Sequence, residues 1–433
     1  MKKARRPLTK LSFHKFAPVC FAAVCAFMVF AAGCKKRTDL SEGQRTSCEI
    51  MSKPGPESNN MGPGDFNANY HGFAAPLDRG EKIVMKSQFP HARYISINVY
   101  DENLRLVDAI RDRDIVPSRG VNPFVPGTKR SGDYLGEYEI TIFMGPPPSG
   151  ERPPNTLYGG LTNTGGRNHA VLLGYRVYLP DKGMGYRDGH PQGVYGGVPP
   201  PRLTVYDPNG DPYCPPKSVS KMVYYHGAYS VLWSFMEQTR GGQDEGSGPQ
   251  DPPVWFNQYS REGRHENVVV GNDETIYISA PVSSEFGELL VLQWPAAETP
   301  VESYHGRPIA EDTDMRYWSL AFAYRDSSYF AGFPTEKSLS DVDVPRLSNG
   351  DCRLVIGFGG MERPDFVPVE QWVGLEMEEG LIIMRNIMID PAYEGDFGEL
   401  PRGKISGEMR KHTPGGVYCS VEELRENPEM GDR

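Results

Sequence analysis

Two stretches far apart in this chain carry the same alternation of apolar and polar residues, and the same kinds of segment follow each in the same order. Arg93-Tyr94-Ile95-Ser96-Ile97-Asn98-Val99 is matched by Arg316-Tyr317-Trp318-Ser319-Leu320-Ala321-Phe322. Ile95, Ile97 and Val99 fall on one side, and Trp318, Leu320 and Phe322 take the same places in the second copy. A period of two means a strand, because successive side chains point to opposite faces, and one apolar side means one buried face. Upstream, the stretch from Ala75-Pro76 to Phe89-Pro90 has the length of that from Ala280-Pro281 to Trp294-Pro295. Downstream, Tyr138, Ile140 and Ile142 alternate as Cys352, Leu354 and Ile356 do. Near-continuous apolar runs follow at 171–179 and 381–389, each interrupted by one arginine, Arg176 or Arg385. Runs of that kind suit strands covered on both faces. Gly (48) and Pro (39) make up a fifth of the chain, which disfavours long helices. The expectation is an all-β fold: two similar sandwich-like halves from an internal duplication, with a helical and loop insert between them.

The N-terminus points to export. Lys2, Lys3, Arg5, Arg6, Lys10 and Lys15 form a basic head, an apolar run extends over 16–30, and Ala31-Ala32-Gly33-Cys34 follows. Head, apolar middle and small-residue end are the parts of a secretory signal. Cysteine straight after Ala-Gly resembles the lipobox of bacterial lipoproteins, with Ala31 standing where that family usually carries leucine. The resemblance implies cleavage before Cys34, acylation of its thiol and attachment to a membrane of the cell envelope. Lys35 follows where an aspartate marks retention in the inner membrane, so the outer membrane is favoured in a cell with two. Losing residues 1–33 removes six positive charges and takes the net charge from −10 to −16. So acidic a body is unsuited to nucleic acid, whose phosphates need positive charge.

The expected plan is a signal peptide (1–33), a polar tether (34–66), a first β repeat (67–205), and a connector with one helix over 218–239 (206–265). A second β repeat (266–400) and a tail with a short helix (401–433) complete it. Ser420 and Glu423 have capping-box spacing for that last helix. Cys48, Cys214, Cys352 and Cys419 remain after Cys34, and four cysteines allow three pairings in an oxidising compartment. The Arg-Tyr-Trp-Ser of 316–319 and Arg385-Asn386 resemble a broad set of exported β-rich bacterial proteins of unknown function. That resemblance covers roughly 67–392 and implies no activity.

Residues that could carry chemistry are few. No metalloprotease helix motif, nucleophile elbow or phosphate-binding glycine loop occurs, and no cofactor is expected. Asp207, Asn209 and Asp211 place oxygens at alternate positions as a calcium loop does, but Pro212 stands where such a loop needs glycine. A hairpin turn is the preferred reading there. Arg93, Arg176, Arg316 and Arg385 sit in apolar strands, where an unpaired charge costs several kcal/mol. Each either pairs with a carboxylate or turns with the others into a pocket for an anion. Trp255, after Pro252-Pro253, is read as a loop aromatic available for contact. These features favour a non-enzymatic binding or scaffolding module held in the envelope by lipid, with an unknown envelope ligand or protein as partner. The alternative is a glycan hydrolase whose carboxylates spacing does not reveal.

Overall fold

The alternation at 93–99 does build a strand, but neither of its faces meets water. Every residue of 92–100 is buried. Ile95, Ile97 and Val99 pack into one core with Ile83, Met85, Ile140 and Ile142. Tyr94, Ser96 and Asn98 point the other way and are buried against the second half of the molecule. The alternation therefore separates an apolar core face from a polar internal face. The expectation of one buried face is corrected, and 315–323 is buried along its length in the same manner.

The structure is a computed structural model. It describes residues 48, 50–52, 64–130, 132, 135–215, 254–258, 271–272, 274–324, 334–389 and 413–431. Cys34, the signal and the expected helix at 218–239 lie outside them. Those described belong to one compact unit, Arg45–Arg433.

The first half comprises β1 (Met51–Ser52), β2 (Ala68–Pro76), β3 (Lys82–Gln88), β4 (Ala92–Tyr100), β5 (Leu106–Arg111) and β6 (Pro117–Gly120). It continues with β7 (Gly136–Phe143), β8 (Thr156–Tyr158), β9 (Ala170–Pro180), β10 (Arg202–Tyr206) and β11 (Pro212–Tyr213). The second half comprises β12 (Val254–Trp255), β13 (Asn257–Gln258), β14 (Thr275–Ser283), β15 (Leu289–Pro295) and β16 (Met315–Tyr324). After these come β17 (Thr335–Ser340), β18 (Asp351–Gly357), β19 (Trp372–Gly374), β20 (Glu379–Ile389), β21 (Gly415–Cys419) and the helix α1 (Val421–Glu426).

Each half is a sandwich of two sheets, and the strand order repeats. One sheet runs β1-β2-β9-β4-β5 and its counterpart β13-β14-β20-β16-β17. The other runs β11-β10-β3-β7-β6, with its counterpart β12-β21-β15-β18-β19. Neighbours are antiparallel except that β8 runs parallel to β7, as β19 does to β18. Irregularities recur as well. The pairing register shifts after Val99 in β4 and after Phe322 in β16. Leu179 and Met388, equivalent positions near the ends of β9 and β20, both adopt left-handed φ (45° and 50°). A side chain costs roughly 1–2 kcal/mol there.

Pairing partners place the two halves in register. Tyr70 lies opposite Arg176 and Tyr277 opposite Arg385, so Ala75 corresponds to Val282. The expected match of Ala75-Pro76 with Ala280-Pro281 is thus displaced by two residues, a slip that alternation cannot reveal because it returns every side chain to the same face.

Segments expected to lie outside the repeats enter the sheets. Met51–Ser52 pairs with β2, and Asp65 is fully buried, although both fall in the expected tether. β21, from the expected tail, lies between β12 and β15. Ser420 and Glu423 form the capping box that starts α1. Cys48 and Cys214 are joined, with Cα atoms 5.5 Å apart, inside the range a disulfide spans. Cys352 and Cys419 are buried thiols, and burial pushes the Cys352 thiol up to about 12.

Candidate functional site

The polar faces of β4 and β9 meet those of β16 and β20 in a seam between the halves, and all four strand arginines are there or at its margins. They do not converge on a pocket. Arg93 reaches across to Asp341, which follows β17, at 2.7 Å, and donates a longer bond to the Val301 carbonyl (3.4 Å). Arg316 makes the reciprocal reach to Asp112, which follows β5, at 3.2 Å, and donates to the carbonyls of Phe124 and Arg93. Ser96 lies opposite Arg111 and Ser319 opposite Ser340, so Asp112 and Asp341 are equivalent. Each half's arginine is therefore held by the other half's aspartate. Burial pushes the Asp112 carboxyl up to about 6, with Arg316 pulling the other way.

The second pair of arginines departs from the expected carboxylate pairing. Arg176 donates to Ser96 Oγ (3.3 Å) and to the Gly271 carbonyl (3.5 Å), and lies 5.9 Å over the rings of both Tyr70 and Tyr100. Arg385 lies 5.7 Å over Tyr277, and its buried Nη1 has no hydrogen-bond partner among the described residues. The Asp65 carboxylate is close enough to act on Arg385 electrostatically. Aromatic faces, which attract cations by about 0.5–2 kcal/mol, do here what carboxylates were expected to do.

Sequence reasoning missed two members of the seam. Asp65 takes the hydroxyls of Tyr317 (2.7 Å), Ser319 (2.6 Å) and Ser338 (2.9 Å). Arg130 grips both oxygens of Asp181 (2.8 and 2.9 Å) and donates to the Ser303 carbonyl across the seam. Neither lies in an apolar strand, and the only local signal for Asp65 is its proximity to the first strand.

Among the described residues, none of the four strand arginines lines either of two clefts at the surface. One, of about 150 Å³, sits where Tyr94, Asn98, Arg111 and Asp114 of the first half approach Asn272 and Glu274 of the second. Arg111 donates to Glu274 at 2.9 Å across its mouth. The other, of about 310 Å³, runs along the first half beside Leu106, Asp108, Arg152, Tyr158 and Leu161. There Arg152 Nη1 meets both oxygens of Asp108 (2.9 and 3.0 Å) and the guanidinium lies 5.4 Å from the Tyr158 ring centre.

Trp255 is in β12, its backbone paired with Gly415, so the expected loop is corrected to a short strand. The adjacent Phe256 is buried in the second core. Asp207, Asn209 and Asp211 form the β10–β11 turn. Asp207 Oδ1 accepts the backbone N–H groups of Asn209 (2.8 Å) and Asp211 (2.9 Å), bonds that hold its carboxyl below the usual range. Gly210 takes φ +90°, which lets the chain close after Pro208. Among the described residues, no group of three or more His, Cys, Asp or Glu side chains is placed to hold a metal ion. No helix among them is long and apolar enough to cross a membrane.

No family model matches the chain, and no curated protein does. Among solved structures, it is similar to an uncharacterized protein from Burkholderia cenocepacia, with TM-score 0.49 and 11% identity, over 85% of this chain and 80% of that one. The VPA0106 protein from Vibrio parahaemolyticus gives TM-score 0.38 and 10% identity over 81% and 93%. The BSP domain of a biofilm associated protein gives 0.18 and 8% over 82% and 52%, so the match spans about half of that chain.

Proposed function

We propose that this chain is a lipid-anchored envelope protein whose β body serves as a binding or scaffolding module. The observation that carries the reading of the body is the seam. Arg93 and Arg316 are bound to the other half's aspartates, which fastens the sandwiches together and leaves the open clefts to neighbouring loops and strand ends. A rigid scaffold that presents such surfaces suits recognition. The anchor rests on the basic head, the apolar run and Cys34. The bond between Cys48 and Cys214 supports an oxidising compartment. Acyl chains contribute about 0.8 kcal/mol per buried CH₂, so two or more hold a protein firmly.

The test is made in the producing bacterium. The mature protein is expected to begin at an acylated Cys34 by mass spectrometry and to stay with membranes washed free of peripheral proteins. Cys34→Ser is expected to release it. An intact Met1, or a Cys34→Ser protein held as tightly as the parent, would overturn the anchor.

A further inference from the structure

We propose that the cleft at the seam, bounded by Tyr94, Asn98, Arg111, Asp114, Asn272 and Glu274, binds one hydroxyl-rich ring: a free saccharide or one residue of an envelope glycan. The inference deepens the binding-module reading and rests on it. Its starting point is the other side of the same seam. By strand pairing, Tyr94, Ser96 and Ala109 correspond to Tyr317, Ser319 and Ser338, and Asn272 corresponds to Asp65. On that side the Asp65 carboxylate fills the corner by taking all three hydroxyls. On this side Ala109 offers only a methyl group. Asn272 turns its amide to Tyr94 (3.1 Å) and Thr275 (2.9 Å). The cleft lies beside this substituted corner, with Ala109 in its wall.

The lining then selects the occupant. Asn272 spends both amide hydrogens on Tyr94 and Thr275 and keeps acceptor capacity at its oxygen. Asn98 keeps its amide beyond one bond to Ser96, Arg111 and Glu274 are bonded to each other, and the exposed Asp114 accepts. A small anion would face two carboxylates. A small cation would face the Arg111 guanidinium. A hydroxyl donates and accepts at once, so a ring bearing several of them can meet the donors and acceptors these bonds leave over without leaving a charge opposed. The volume of about 150 Å³ lies below the roughly 300–1,000 Å³ of sites for drug-sized ligands, which limits the occupant to about one ring. Tyr94 and Asn272 are buried and bonded to each other, so that wall is formed in advance.

The experiment titrates the purified mature protein with monosaccharides and with soluble fragments of envelope glycan, followed by saturation-transfer NMR. Putrescine and acetate serve as cationic and anionic controls. Two variants accompany it: Ala109→Ser with Asn272→Asp, which installs the other side's filling, and Asp114→Asn at an exposed wall. Saccharide signals that weaken at least tenfold in both variants are expected. Preference for the glycan fragments would identify the source as polymer, and equal response to free sugars would identify a soluble ligand. Saccharides that bind parent and variants alike would remove the site from this cleft and leave the module reading standing. Binding of putrescine or acetate alone would overturn the ligand class. Absence of any saccharide binding by the folded parent would overturn the inference while leaving the anchor untouched.

Discussion

The first and second halves share a backbone plan down to a register shift and a left-handed residue, yet their interiors hold different chemistry. The first core buries His71, stacked on Tyr195 (4.4 Å) and Tyr175 (5.6 Å), where strand pairing places Ile278 in the second. The second core buries Asn386, where the first has Val177. Across the seam Asp65 takes three hydroxyls while its counterpart Asn272 shares one phenol. The comparison teaches that strand order withstands single polar exchanges inside a core, because it is set by many alternating apolar positions at once. What each half can bind is set by a few exchanges.

The largest expected effect tests whether the seam is symmetric in energy as well as geometry. Arg93→Met leaves Asp341 buried without its partner, and Arg316→Met does the same to Asp112. Removing one member of a buried pair costs about 3–5 kcal/mol. Both variants should unfold at lower urea, with Arg93→Met the worse because its bond is shorter and both its side chains are almost fully enclosed. Arg93→Met with Asp341→Leu should recover most of the loss. A negligible loss in either single variant would break the comparison, since that aspartate would then be stable without the other half's arginine.

Those pairs also mark the limit of what the sequence makes legible. Apolar alternation located β4, β7, β16 and β18, and the interrupted runs located β9 and β20. Tyr94, Ser96 and Asn98 read as a solvent face because their partners are remote in sequence: the Tyr94 phenol meets Asn272, 178 positions away. Asp65 read as tether for the same reason, its burial resting on Tyr317, 252 positions on. A local pattern reports that a face is polar. It does not report whether water or a second sheet satisfies it. The cleft was illegible for a related reason, since Asn98, Arg111, Asp114 and Glu274 share no motif and meet only when two sheet ends come together.

A smaller effect, confined to the first core, comes from His71. Its Nε2 lies 2.8 Å from the Val194 carbonyl, and burial lowers its pKa from 6.5 to about 4. The unfolded chain takes up the proton near 6.5 and the folded one only near 4. The stability this group contributes is therefore full above about pH 6.5 and is lost as the pH falls toward 4, by up to about 3 kcal/mol. His71→Ile, which copies the second half, should lose that much less than the parent between pH 7 and 4. Asp112 works in the opposite sense over much of the same range, so the readout is the difference between parent and variant. Parallel curves would show that His71 is no colder to protons folded than unfolded.

The smallest effect comes from the reverse exchange. Asn386 lies opposite Trp318 in the second core, and among the described residues neither its amide oxygen nor its nitrogen has a hydrogen-bond partner. The indole nitrogens of Trp318 and Trp294, whose rings meet edge-on at 5.7 Å, likewise have no partner among the described residues. A buried polar group left unbonded costs about 1–3 kcal/mol, whereas an apolar group of similar shape at that place costs nothing of the kind. Asn386→Val installs the first half's residue and removes two such atoms, giving up part of the gain where the smaller side chain packs less fully. A net stabilisation of about 1 kcal/mol is expected as a raised urea midpoint with an unchanged slope. A loss of similar size would mean that the amide is bonded to buried water, and that the second core, unlike the first, is built around a hydrated polar centre.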